Sequence, residues 1–293
     1  MQISDHPSAL LRLAARRGRR LPDLGSVLLW AYVSGVVAFL LAPLVILLLT
    51  SFTASRSVEF PPTGLSLQWY GTLFDTLLGK PGTRVGLSSS IVFSLQLAVL
   101  SAALSVTCGV LAALALHKFR FWGRQLLNNL FLLPLIFPQL VVGVALLLMF
   151  SELHLFSSML LVRLAIGHVV TSLPFVILTV GASLAVYEES VEEAARSLGA
   201  NAAQTFWYVT LPLIRPGLIG GLVFAFITSL TQFTISYFLS TGVHPLPVWL
   251  YDFISLGHDP LLATISVVLI AAAFAVVFII ERLVGVRRVF ASG

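Results

Sequence analysis

Charge is the scarcest property of this chain. Only 10% of its 293 residues are Asp, Glu, Lys or Arg, where a soluble domain carries about a quarter. Hydrophobic residues make up 58%, and the mean hydropathy is +1.00. So little charge cannot cover a water-facing surface, which excludes a soluble enzyme, a disordered chain and a small disulfide scaffold. Cys108 is the sole cysteine, so neither an intrachain disulfide nor a zinc cluster of thiolates can form. Acids number 12, and none lies deep in an apolar run. No G-x-x-x-x-G-K-[ST] occurs, and the one Gly-Lys pair, Gly79-Lys80, runs into Pro81, so the chain has no P-loop cradle for a nucleotide. His154, His244 and His258 lack metal-ligand spacing, and no metal site is expected.

What the chain has is long apolar runs. Six lie near 27–50, 88–116, 126–150, 157–186, 214–238 and 260–282. Each reaches the roughly 20 residues a helix needs to cross a bilayer, and none shows the in-out alternation of a barrel strand. The fold class expected is therefore an all-α polytopic membrane protein with six transmembrane helices. Arg163 and His168 near the start of the fourth run suggest a bent or interfacial start there. With the N-terminus inside, 13 of the 17 Lys and Arg fall in inner segments, and only Arg56, Lys80, Arg84 and Arg163 fall outside. The positive-inside rule then places both termini in the cytoplasm. The basic sum thus reports orientation, not nucleic acid, and the run Arg12 to Arg20 suits anionic membrane lipids. The expected division is a cytoplasmic tail 1–26, a membrane domain 27–286 with an inner loop at 187–213, and a tail 287–293.

The inner loop differs from the rest. Glu188, Glu189, Glu192 and Glu193 open it, and residues 190–198 are good helix formers with Ser190 and Glu193 at capping-box spacing. Gly199 should end that helix, a second should run from Asn201 to about Val209, and Pro212 and Pro216 should break the chain before the fifth span. Two short helices would project with an apolar side of Ala194, Ala195, Leu198, Phe206 and Tyr208. That element is either a docking surface for a soluble protein or a plain interfacial connector.

The motif Glu193-Ala194-Ala195, then Gly199, then Val209-x-Leu211-Pro212 and Arg215-Pro216, resembles the EAA signature of ABC importer permeases. Leu133-Pro134-Leu135-Ile136-Phe137-Pro138 with Gly143, and Ser172-Leu173-Pro174-Phe175, are similar to that family's third and fourth spans. FPPTGLSLQWY at 60–70 and PLPVWLYDFI at 245–254 are similar to its spermidine/putrescine-type subgroup. The likeness covers about 60–290. It implies a type I ABC importer permease fold in a bacterial inner membrane. It also implies ATPase coupling through Glu192, Glu193, Ala194, Ala195, Leu198, Gly199, Phe206, Leu211 and Pro212. The implied partners are a cytoplasmic ATPase dimer, a second permease subunit (a different chain forming a heterodimer, or a copy of this one), and an extracytoplasmic binding protein docking near 55–86 and 239–259. This chain would bind no cofactor, ATP and Mg being used by the ATPase.

Polar residues within spans mark candidate passages. Thr228, Thr231 and Gln232 share one helical face of the fifth span, and Ser236 extends it. They either line a pathway or bond helix to helix. Gln139, after Pro138, is a further pathway candidate at a potential helix break, and His168 is expected to be a satisfied polar residue. Positions 231 and 232 match places where polyamine permeases often carry acids, yet here they are neutral. An ion-gradient-driven secondary transporter is the alternative, and it lacks mid-membrane carboxylates. An intramembrane enzyme lacks a base beside its serines.

Overall fold

The computed structural model describes residues 24–284 apart from Arg84, Ser157, 187–189, Leu256 and His258. The basic run Arg12 to Arg20, the acids Glu188 and Glu189, and the tail 287–293 lie outside the described residues. Helices dominate: α1 Leu24–Ser51, α2 Gln68–Leu77, α3 Leu87–Lys118, α4 Arg124–Ile136, α5 Gln139–Glu152 and α6 Leu160–Val186. They continue as α7 Ser190–Ser197, α8 Ala202–Leu213, α9 Arg215–Thr231, α10 Thr234–Leu239, α11 Leu246–Ser255 and α12 Pro260–Val284. A single antiparallel bridge, Thr53 with Leu65, is the β feature among the described residues.

Among the described residues, three helices, Gly25–Ser51, Leu87–Lys118 and Leu160–Val186, are long and apolar enough to cross a membrane, and two bent pairs raise the number to five. The expected third span, 126–150, is one such pair: α4 and α5 meet at a 108° bend. Its cause is local. Pro138 has no N–H to give, and its ring pushes Phe137 into an extended conformation (φ −74°, ψ 141°) that ends α4. Pro134 and Pro174 stay inside helices, and α6 runs unbroken past Arg163 and His168, so the bent start expected there does not occur. The fifth span is broken too. Helix α9 stops at Thr231, Gln232 is extended (ψ 94°), and α10 starts at Thr234. Helix α12, Pro260–Val284, is 25 residues long and occupies the sixth apolar run.

Helices α3, α6 and α9 form the packed centre around Ala102, Val110, Val176, Val180, Leu184 and Ala225. Small residues allow their close approach. A Cβ on Gly217 of α9 would lie 2.3 Å from the Thr179 carbonyl oxygen of α6, and one on Gly221 would lie 2.9 Å from the Thr179 hydroxyl. A second cluster joins α3, α5, α6 and α10 through Leu97, Leu146, Phe150, Leu164 and Ile235. The loop expected at 239–259 contains α11, which folds back on the bundle. Val248 and Phe253 are buried, the Leu246 N–H donates to Ser94 Oγ at 2.7 Å, and Trp249 stacks on Phe253 at 5.3 Å. Helix α1 stands at the periphery, beside α12, with nearly all of its apolar side chains exposed.

Candidate coupling surface and polar core

Helix α7 carries Glu192 and Glu193 in its first turn and Arg196 in its last, each sign at the end of the helix dipole that favours it. It closes on Gly199. The Gly199 N–H reaches the Arg196 carbonyl at 3.0 Å and the Ala200 N–H reaches the Ala195 carbonyl at 3.1 Å, a Schellman arrangement with Gly199 at φ +93°. A residue with a side chain rarely adopts that φ. Helix α8 then starts from a reciprocal cap, in which the Gln204 N–H donates to Asn201 Oδ1 and the Asn201 N–H donates to Gln204 Oε1, both at 2.9 Å. The second helix is longer than expected. Pro212 does not break it, because a wide π-helical turn, Phe206–Thr210, precedes the proline. The break comes at Ile214, where α8 and α9 bend by 69°.

The two adjacent glutamates are placed differently. Glu192 is buried and accepts from Lys118 Nζ at the end of α3 and from Thr210 Oγ1 at 2.5 Å. These contacts tie both helices of the hairpin to the bundle. Glu193 and Ala194 are exposed and Ala195 is half-buried. Leu198 is 90% exposed, Tyr208 79% and Trp207 62%, so large apolar groups crown the hairpin with none of the described residues covering them. Phe206 is half-buried with its ring 5.3 Å from that of Trp207. Leu211 packs against the central cluster, and Pro212 is exposed. Sequence reasoning missed Lys118, Thr210 and Trp207. Trp207 was legible as an apolar residue within the loop. The Lys118–Glu192 pair spans 74 positions, and no local pattern announces it.

The polar residues of the spans divide. Thr231 is exposed and its hydroxyl turns back to the Ile227 carbonyl at 2.9 Å. Gln139 is exposed at the start of α5, and Thr228 is half-buried. Gln232 and Ser236 are buried, so the shared face expected for Thr228, Thr231 and Gln232 is not formed; the helix ends before Gln232. Instead His168, 1% exposed, bridges the break. Its Nδ1 lies 2.7 Å from Ser229 Oγ on α9 and its Nε2 3.0 Å from Ser236 Oγ on α10. Ser236 donates its one proton to the Gln232 carbonyl at 2.6 Å, which assigns the imidazole N–H to Nε2 and leaves Nδ1 to accept from Ser229. Gln232 Nε2 donates to Thr171 Oγ1 at 3.1 Å, and Ser172 meets Ser105 of α3 at 2.7 Å. Thr171 and Ser172 both donate to the His168 carbonyl, at 3.0 and 2.8 Å. A neutral hydrogen-bonded network therefore links α3, α6, α9 and α10, as a buried polar group requires.

Comparison with known proteins adds the family. Residues 105–288 match the model for the binding-protein-dependent transport system inner membrane component. The chain belongs to that family. It is a membrane permease component located in the inner membrane, consistent with its apolar helices. It is 32% identical over 251 residues to the putrescine transport system permease protein PotI of Escherichia coli (strain K12), covering 82% of this chain and 85% of the relative. It is 28% identical over 261 residues to the spermidine/putrescine transport system permease protein PotC of the same strain, covering 87% and 92%. A solved bacterial ABC transporter involved in import of the acidic polysaccharide alginate shares the fold, with TM-score 0.67 and 18% identity over 95% of this chain and 99% of that one.

Proposed function

We propose that this permease is one membrane half of an ATP-driven importer, with the hairpin α7–α8 as its coupling element. The reading is carried by one observation: an amphipathic hairpin fastened beneath by Glu192 and bare on top at Leu198, Trp207 and Tyr208. An apolar crown of this kind suits docking into a cleft of a soluble subunit. The occupant is an ATPase dimer, which uses the ATP and Mg. Its closing pushes on α7–α8, and the push passes through Lys118 to α3 and through Leu211 to the central cluster. Glu193, exposed beside the crown, contributes a polar contact to the ATPase, and Gly199 the turn. The hairpin end is the cytoplasmic end, with both termini on that side. A second, different permease chain completes the passage, and an extracytoplasmic binding protein delivers the solute to the opposite end.

The solute is a polyamine or a related small organic compound, on the strength of the relatives' names. Gln139, Thr228 and Thr231 supply dipoles rather than charge along the passage, with Gln232 and Ser236 held in the polar network behind them, so acids that attract a cation come from the second permease chain. The decisive experiment is Leu198→Asp in the co-expressed complex. Leu198 touches almost nothing in this chain, so membrane insertion should be unchanged while the ATPase no longer co-purifies and ATP-dependent uptake of labelled putrescine stops. ATPase retention and uptake at the original level would refute the coupling role. Retention with ATP-driven uptake of some other solute would refute only the substrate.

A further inference from the structure

The end of the bundle that carries the hairpin has a second unusual feature, which begins at the Lys118 anchor. Residues 118–124 read Lys-Phe-Arg-Phe-Trp-Gly-Arg and turn the chain from α3 into α4. Phe119, Phe121 and Trp122 are 63%, 40% and 98% exposed. Beside them opens a recess of about 680 Å³ lined by Leu116, Phe121, Gly123, Arg124, Gln125 and Asn128. That volume lies within the roughly 300–1,000 Å³ of small-molecule sites. The lining combines apolar Leu116 and Phe121 with a guanidinium and two carboxamides, and no carboxylate contributes. Neither Arg120 nor Arg124 has an acidic partner among the described residues.

A ligand for this recess must be anionic at one end and apolar at the other. A cationic solute would meet Arg124, and a free inorganic anion would leave Leu116, Phe121 and Trp122 without counterparts. Basic pockets between helices at a membrane surface take acidic lipid headgroups, and tryptophan prefers the same depth. We propose that the recess binds one anionic phospholipid of the phosphatidylglycerol kind. The phosphate takes Arg124, Gln125 and Asn128, the acyl chain runs along Leu116 and Phe121, and Trp122 sits at the headgroup level.

The test uses the full chain in lipid nanodiscs, with bromine-labelled acyl chains quenching tryptophan fluorescence. The difference between the parent chain and Trp122→Phe isolates the Trp122 signal. Brominated phosphatidylglycerol should quench it at about fivefold lower mole fraction than brominated phosphatidylcholine, the preference one basic contact provides. Arg124→Gln should bring the two lipids to parity. Asn128→Leu, which fills the recess but keeps the charge, should also remove the preference. Equal quenching by both lipids would mean a plain interfacial anchor and overturn the site. Absence of quenching by either would mean that water or a protein partner covers this face, which overturns it as well. Relief of quenching by millimolar inorganic phosphate would mean a free-anion site in place of a lipid one. Unchanged preference in both variants would place the lipid elsewhere.

Discussion

At position 192 the glutamate is folded beneath the hairpin against Lys118 and Thr210, while Glu193 faces outward. Glu192→Gln keeps the shape and removes the charge, leaving the Lys118 ammonium, 26% exposed, without its counter-ion. Loosening of the hairpin by about 1–3 kcal/mol is expected, seen as faster hydrogen exchange of amides 202–210 with the membrane core unaffected. Lys118→Ala combined with Glu192→Gln should cost less than the two changes summed, since both remove one interaction. His168 offers a second residue-scale test. Leu at this position leaves Ser229 without its acceptor and Ser236 without its donor, whereas Gln can still supply one of each. His168→Leu should lower the apparent thermal midpoint in detergent, by the equivalent of about 1–3 kcal/mol per unpaired group, and His168→Gln should lower it less.

At the scale of elements, the hairpin depends on one backbone conformation. Gly199 sits at φ +93° with open space where a Cβ would stand, nothing lying within 4 Å, so a substitution there meets strain rather than a clash. Gly199→Val should cost about 1–2 kcal/mol and reduce ATPase stimulation, and Gly199→Asn should cost less because Asn tolerates left-handed backbone. Gly217 is the reverse case. Its φ is ordinary, but a Cβ would meet the Thr179 carbonyl oxygen at 2.3 Å, so Gly217→Val should separate α9 from α6 and lower the yield of folded protein. Helices were legible wherever apolar runs were continuous. Their breaks were only partly legible. Proline is a dependable signal at Pro138, yet Pro134, Pro174 and Pro212 sit inside helices, and the break at Gln232 contains no proline. What decides is whether neighbouring groups can satisfy the freed backbone, and that depends on packing.

For the whole molecule, orientation is the claim most open to direct measurement. A chain with Cys108→Ser and Leu198→Cys should be labelled by a membrane-impermeant maleimide in inside-out vesicles and not in intact cells. The opposite result would reverse the topology and remove the ATPase from reach of the hairpin.

Composition and the order of residues by themselves determined that this chain lies in a membrane as helices, that it cannot hold ATP in a P-loop, and that 187–213 is its exceptional segment. Those properties are local: apolar length, charge placement and the spacing of a capped helix, a glycine and a proline. Tertiary structure alone decided that Glu192 is an anchor, that His168 rather than a stripe of threonines bridges the broken fifth span, and that α11 is part of the bundle. Each of these rests on partners many positions distant, brought together by close packing of α3, α6 and α9 at their small residues. Such contacts leave no periodic trace in the chain.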